Sequence, residues 1–145
     1  MNIELDGVAA LTKQLKALAS VSETGAVLKG AVSDAMGKVR DQARQNVPVG
    51  RKRHRTYKGR LVSPGFAKRS LRVLARLSKD KTRAYALLGV RSEAFYALQF
   101  IELGTSRIPR RPWLVPAFEA SKDESLREIG ASMRRRIELI AARRK

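Results

Sequence analysis

The chain has 145 residues, and its 31 Lys and Arg against 13 Asp and Glu give a formal charge of +18, so its surface must meet something negative or tolerate strong self-repulsion. An apolar content of 43% supports one ordinary core and argues against wholesale disorder. The lack of cysteine excludes disulfides, thiol nucleophiles and cysteine-type zinc sites, and leaves no sign of an oxidising compartment.

In chain order, Val8, Leu11, Leu15 and Leu18 recur at helical spacing after Asp6, which predicts a short amphipathic helix capped by that aspartate. Polar residues and a glycine interrupt the pattern over residues 20–25. Leu28, Val32, Ala35, Met36, Val39 and Ala43 then predict a second helix, ending near Asn46 because Pro48 forbids continuation. Its Gly30 and Gly37 each cost about 1 kcal/mol relative to alanine; either another backbone approaches there or the helix simply tolerates them.

Residues 48–65 combine three glycines and two prolines with a dense basic run, and read as a long loop or arm with few core candidates. Leu71, Val73, Ala75 and Leu77, then Ala84, Ala86, Leu88 and Val90, alternate with other residues in two runs. They predict an antiparallel pair turning at Lys79, Asp80 and Lys81, with Arg72 and Arg76 on a face that is wet or meets a partner. A helix over residues 71–77 is the alternative.

Ser92 is placed to cap a short helix through Phe95, Leu98 and Ile101, and Gly104 to end it in a left-handed conformation. The following TSRIPRRP, with Pro109 and Pro112, reads as a stiff extended strut. A last and longest helix starts near residues 112–116 and turns Phe118, Leu126, Ile129, Met133, Ile137 and Ile140 inward. The fold class is therefore α+β: N-terminal helices, a small antiparallel sheet with a long basic loop, and a long C-terminal helix, all in one domain.

No run reaches the roughly twenty apolar residues that span a bilayer, and the start MNIELDG lacks the basic-then-apolar order of a secretory signal, so neither insertion nor signal-directed export is expected. One histidine and no cysteine make a thin catalytic repertoire, so no enzyme, cofactor or metal is expected. His54, within RKRHR, is assigned no chemical role. Glu102, in the apolar setting FIELG, needs a cation or amide donor if buried, and Arg107, Arg110 or Arg111 is within reach by sequence. Arg51, Lys52, Arg53, Arg55, Lys58 and Arg60, joined by Tyr57, suit contact with DNA or an acidic partner. Arg134, Arg135, Arg136, Arg143, Arg144 and Lys145 complement the negative end of the last helix; a membrane-surface helix is the sharper alternative. Trp113 is either an interface anchor or a core aromatic at a helix start.

The stretch YALQFIELGTSRIPRRPWLVPAFE resembles the signature of the phage tail-completion, or neck, family related to the minor tail protein Z type of long-tailed bacteriophages. Glu102, Gly104, Thr105, Pro109, Pro112, Trp113, Pro116 and Ala117 fall where that pattern expects them, and the preceding helix, the VPVG turn and the KRSLRV strand resemble its upstream half. Two positions depart from it. A basic insert follows Gly50 where relatives pass almost directly into the strand, and Arg111 stands where a small residue is frequent.

The resemblance implies a structural virion component. It would be a homo-oligomeric ring of six subunits at the head-proximal end of the tail, joining tail tube or terminator to the connector of a DNA-filled head, and present in host cytoplasm during assembly. Glu102, Gly104, Thr105, Arg107, Pro109, Arg110, Arg111, Pro112 and Trp113 would then face a subunit or partner. A ring about 38 Å deep would enclose roughly 22 duplex phosphates, far fewer than the positive charge of six such chains, so acidic faces on neighbouring rings are expected as well. A free nucleic-acid-binding protein is the competing expectation.

Overall fold

A computed structural model describes residues 21–143, together with Lys13. The expected helix carrying Val8, Leu11, Leu15 and Leu18 therefore lies outside the described residues. The elements are α1 (Val21–Asn46), β1 (His54–Arg55), β2 (Leu61–Val62), α2 (Phe66–Arg69), β3 (Leu71–Leu77), β4 (Ala84–Val90), α3 (Ser92–Leu103) and α4 (Leu114–Arg143). The α+β class, the antiparallel β3–β4 sheet and the long last helix are as the sequence predicts; the second small sheet, β1–β2, is additional.

α1 is the axis of the molecule. Val27, Ala31, Ala35, Val39, Ala43 and Val47 recur every four residues and are all buried, so a single face meets α4, β3 and β4. The helix already covers Gly25, which the sequence placed in a break. Near its start, Val27 and Ala31 pack on Met133 and Ile137 of α4; near its end, Ala43 and Val47 pack with Leu71, Leu98, Trp113 and Ala117. The two long helices thus run antiparallel, first against last in the described chain.

β3 and β4 pair antiparallel from Leu71 with Val90 to Leu77 with Ala84, which settles residues 71–77 as strand. The predicted connection is a six-residue turn: the Ser78 amide donates to the Arg83 carbonyl at 2.9 Å, and Lys81 takes φ 58°. The Asp80 carboxylate accepts the Ser78 hydroxyl, the Thr82 hydroxyl at 2.6 Å and the Thr82 amide at 3.2 Å. Those bonds hold its pKa down at about 2. Alternation places Leu71, Val73, Ala75 and Leu77 inward, while Arg72, Leu74 and Arg76 are exposed.

Three expectations are corrected. The basic arm is not all loop: it carries the β1–β2 hairpin, while Thr56 and Val62 are its buried residues, in keeping with few core candidates. Ser92 is not a cap; Arg91 holds that position with no side-chain bond, and the Ser92 hydroxyl instead accepts from Lys58 Nζ at 3.4 Å. Phe118 faces outward, since the inner face of α4 there is filled by Ala117 and Ser121.

A clamped proline strap and an aromatic-cationic face

The strap, residues 104–113, is held by bonds that the sequence only half discloses. Gly104 ends α3 at φ 76°, ψ 165°, a region essentially reserved for glycine, and its amide donates to the Phe100 carbonyl at 2.8 Å. A Cβ there would lie 3.1 Å from the Arg110 amide nitrogen and 3.2 Å from its Cα, so the returning backbone also requires the missing side chain.

The strap opens with a turn rather than a straight strut, because the Thr105 hydroxyl accepts from the amides of Arg107 (3.3 Å) and Ile108 (3.0 Å). The Thr105 amide donates to the Ile108 carbonyl at 2.9 Å. Beyond Pro109 the chain runs back along α3, with the Arg111 amide on the Ile101 carbonyl at 2.8 Å.

Glu102 is the fastening point, and its partners are amides rather than an arginine. Its carboxylate accepts from the backbone N–H groups of Trp113 (2.6 Å), Leu114 (2.9 Å) and Val115 (3.3 Å), which are the donors left without intrahelical partners at the start of α4. Arg110 Nε donates to the Glu102 carbonyl, at 3.2 Å, not to its carboxylate. Arg107 and Arg111 are exposed. Partial burial pushes the Glu102 carboxyl up, but the three amides outweigh that and hold it below its ordinary 4.5.

Trp113 is only 4% exposed. Its indole N–H donates to the Leu98 carbonyl at 3.0 Å, and its own carbonyl accepts from Asn46 Nδ2 at 3.2 Å. Of the two expectations for Trp113, interface anchor and core aromatic at a helix start, the second holds and the first is corrected: it is a core residue that joins α1, α3 and α4.

The surface beside the strap is aromatic. Phe95, Tyr96, Phe100 and Leu103 are between 42% and 64% exposed along the outer side of α3, while Ala94 and Leu98 are buried on its inner side. Tyr57 of the basic arm meets Tyr96 edge to face at 5.5 Å, and Tyr96 contacts Phe95 at 5.6 Å and Phe100 at 6.3 Å. The arm is laid beside α3 by the Lys58 bond to Ser92 and by Arg60 on Glu93 at 3.4 Å. Arg55 donates to the Gly59 carbonyl at 2.9 Å, and Arg51, Lys52 and Arg53 are exposed. The arm thus adds the Tyr57 ring to the three of α3, with Lys58 Nζ 5.6 Å from its centre.

Sequence reasoning missed this outward stripe, although a helix apolar on both faces is a signal that something outside the chain covers one of them. It also missed the polar tie across the long helices. Asp34 accepts from the Ser132 hydroxyl at 2.5 Å and from Arg136 at 2.9 Å. Partial burial opposes its ionisation, yet Ser132 and Arg136 hold the carboxyl below its ordinary 3.8. Gly30 makes room for this pairing, since a Cβ there would fall 2.2 Å from Arg136 Cζ; at Gly37 a Cβ would meet nothing. Arg135 sits on Glu128 at 2.6 Å, so two of the arginines assigned to the helix end neutralise acids instead.

Among the described residues no three His, Asp or Glu side chains converge as metal ligands, and no helix is long and apolar enough to cross a membrane. Compared with family models, curated proteins and solved structures, the chain matches none.

Proposed function

We propose that this chain is a structural neck subunit of a tailed bacteriophage, a tail-completion protein whose copies form a ring between the tail and the DNA-filled head. The observation that carries this reading is the exposed apolar side of α3, Phe95, Tyr96, Phe100 and Leu103, set beside a strap with little freedom left to lose. Large apolar side chains left in water on a regular helix mark a surface made for another protein. A strap fixed in advance by Glu102, Thr105 and Gly104 lowers the ordering cost of being gripped.

The residues of the resemblance fit this division of labour. Glu102, Gly104, Thr105 and Trp113 build the strap from within, while Arg107, Pro109, Arg110, Arg111 and Pro112 are on its exposed side and are the partner contacts. Neighbours on the ring axis, a tail terminator or tail tube on one side and a connector on the other, present acidic faces to a subunit of charge +18. Deleting the protein from a phage that encodes it should leave filled heads beside unattached or defective tails. Normal infectious particles from the deletion would refute the proposal.

A second reading, contact with DNA, has one specific observation in its favour: Tyr57, in the same arm as exposed Arg51, Lys52 and Arg53, carries Lys58 beside its ring and meets the Tyr96 ring, the pairing of charge and stacking surface that nucleic acids use. Its mark is a linear fall of log affinity with log salt, with a slope of about 0.9 per neutralised phosphate on duplex DNA, abolished when the arm is replaced.

A further inference from the structure

Where β2, α2 and the joint between β4 and α3 come together they frame a cavity of 330 Å³. Three arginines from separate parts of the chain line it: Arg60 just before β2, Arg69 at the end of α2 and Arg91 just before α3. Ser63 and Phe66 stand among them, and no Asp or Glu is in the lining. Like charges gathered round one concavity raise its potential and favour an anion there.

The three guanidinium groups are engaged to different degrees. Arg69 is fixed, with Nη1 donating to the Pro64 carbonyl at 3.1 Å and Nη2 to the Ser63 hydroxyl at 2.8 Å. A Cβ at Gly65 would lie 3.0 Å from Arg69 Nη1, so the missing side chain is what lets the guanidinium fold back over the loop. The remaining Arg69 N–H groups and the Ser63 proton are left to donate. Arg60 is shared: its Nη1 lies 3.4 Å from Glu93 and its guanidinium carbon 6.0 Å from the centre of the Phe66 ring. The Arg91 side chain has no hydrogen bond or ion pair among the described residues, while its backbone amide is pinned to the Ser70 carbonyl at 3.1 Å.

We propose that this cavity binds a dianionic phosphate group. Glu93 offsets Arg60, which leaves the charges of Arg69 and Arg91 unmet. Inorganic phosphate or a phosphate monoester carries about −1.5 to −2 near pH 7 and matches that pair, whereas a carboxylate would leave half of it unmatched. Guanidinium forks suit phosphate oxygens, and the Ser63 hydroxyl adds a neutral donor. The space beyond the phosphate is walled by Leu61 and Phe66, so an organic group bearing the phosphate fits as well as the free ion. The inference rests on neither functional reading; it holds or fails without a ring or a duplex.

The test follows the unfolding temperature of the full chain while phosphate replaces chloride at constant ionic strength. A saturable rise is expected with inorganic phosphate and, in a second arm, with AMP; acetate should give none. R91Q removes no bond seen in the folded chain and should raise the half-saturating phosphate concentration at least about tenfold. Replacing Arg51, Lys52 and Arg53 with glutamine should leave that concentration unchanged. AMP saturating below inorganic phosphate would place an organic group against Phe66, and AMP saturating no lower would make the ligand the free ion. No saturation with either probe, an equal response to acetate, or a phosphate response that survives R91Q overturns the proposal. So does an equal loss in the arm variant, which would make the effect one of general charge. An R91Q defect confined to the binding of duplex DNA overturns it too, and would give Arg91 to a nucleic-acid backbone instead.

Discussion

The strap and the basic arm are both irregular, rich in arginine and of similar length, yet they are held in different ways. In the strap, residues 104–113, each turn of the backbone is tied to a fixed point: Gly104 by its φ, Thr105 by two accepted amides, Trp113 by the Leu98 carbonyl, and the start of α4 by the Glu102 carboxylate. The arm, residues 51–60, pairs its short β1 with β2, buries Thr56 and sets Tyr57 against Tyr96, but its polar side-chain ties to α3 are only Lys58 on Ser92 and Arg60 on Glu93, both at 3.4 Å, and such surface ties contribute little. Irregular structure becomes rigid where several donors converge on one partly buried acceptor. The number of charges in a segment has little to do with it.

Substitutions can break that contrast or sharpen it. The largest effect is expected at Trp113→Ala, which empties the junction of α1, α3 and α4 and should cost about 3–5 kcal/mol in denaturant unfolding. Gly104→Ala forces a side chain both into a glycine-only conformation and against the Arg110 backbone; a loss of about 2–3 kcal/mol is expected by the same measurement. Glu102→Gln keeps the shape but removes the charge, and should cost about 1–2 kcal/mol.

The same carboxyl predicts a pH response. Its pKa in the folded chain lies below the ordinary 4.5, so the unfolded chain binds more protons there and stability rises with pH. The stabilisation is complete above about 4.5 and is lost as pH falls through the lowered folded value. E102Q should flatten that part of the acid-unfolding curve. If wild type and variant lose stability in parallel between pH 5 and 3, the clamp is not electrostatic.

At the small end, replacing Arg51, Lys52 and Arg53 together with glutamine should move stability by no more than about 0.5 kcal/mol. A larger loss would mean that the arm is as firmly built in as the strap. A companion pair tests the glycines of α1. Gly37→Ala should stabilise by about 0.5–1 kcal/mol, since nothing stands near it, whereas Gly30→Ala should gain less because it pushes Arg136 off Asp34.

Most of the framework was readable from local pattern. Pro48 stops α1, alternation separates the inner and outer faces of β3 and β4, and Gly104 marks the end of α3, because each signal lies within a few residues of its effect. Part of the site was not readable, since its bonds join residues far apart or use groups that carry no identity in a sequence. Glu102 was visible as a carboxylate in need of donors, but backbone amides are the same at every position, so arginines drew attention instead. Gly30 and Arg136 lie more than a hundred residues apart, and nothing local to either names the other. Trp113 suits an interface and a core equally well by composition; only the position of the Leu98 carbonyl decides between them.

The antiparallel union of α1 with α4 has a consequence for how the protein is made. Part of the stripe on α1, Val27 and Ala31, is covered by Met133 and Ile137 of α4, about a hundred residues further on, so during synthesis that part has no lasting cover until α4 has left the ribosome. Closing so long an intervening loop is a slow, entropically costly event. A nascent chain stalled before α4 would present sticky apolar side chains to its neighbours and to chaperones, and the yield of usable protein should depend on how quickly α4 follows.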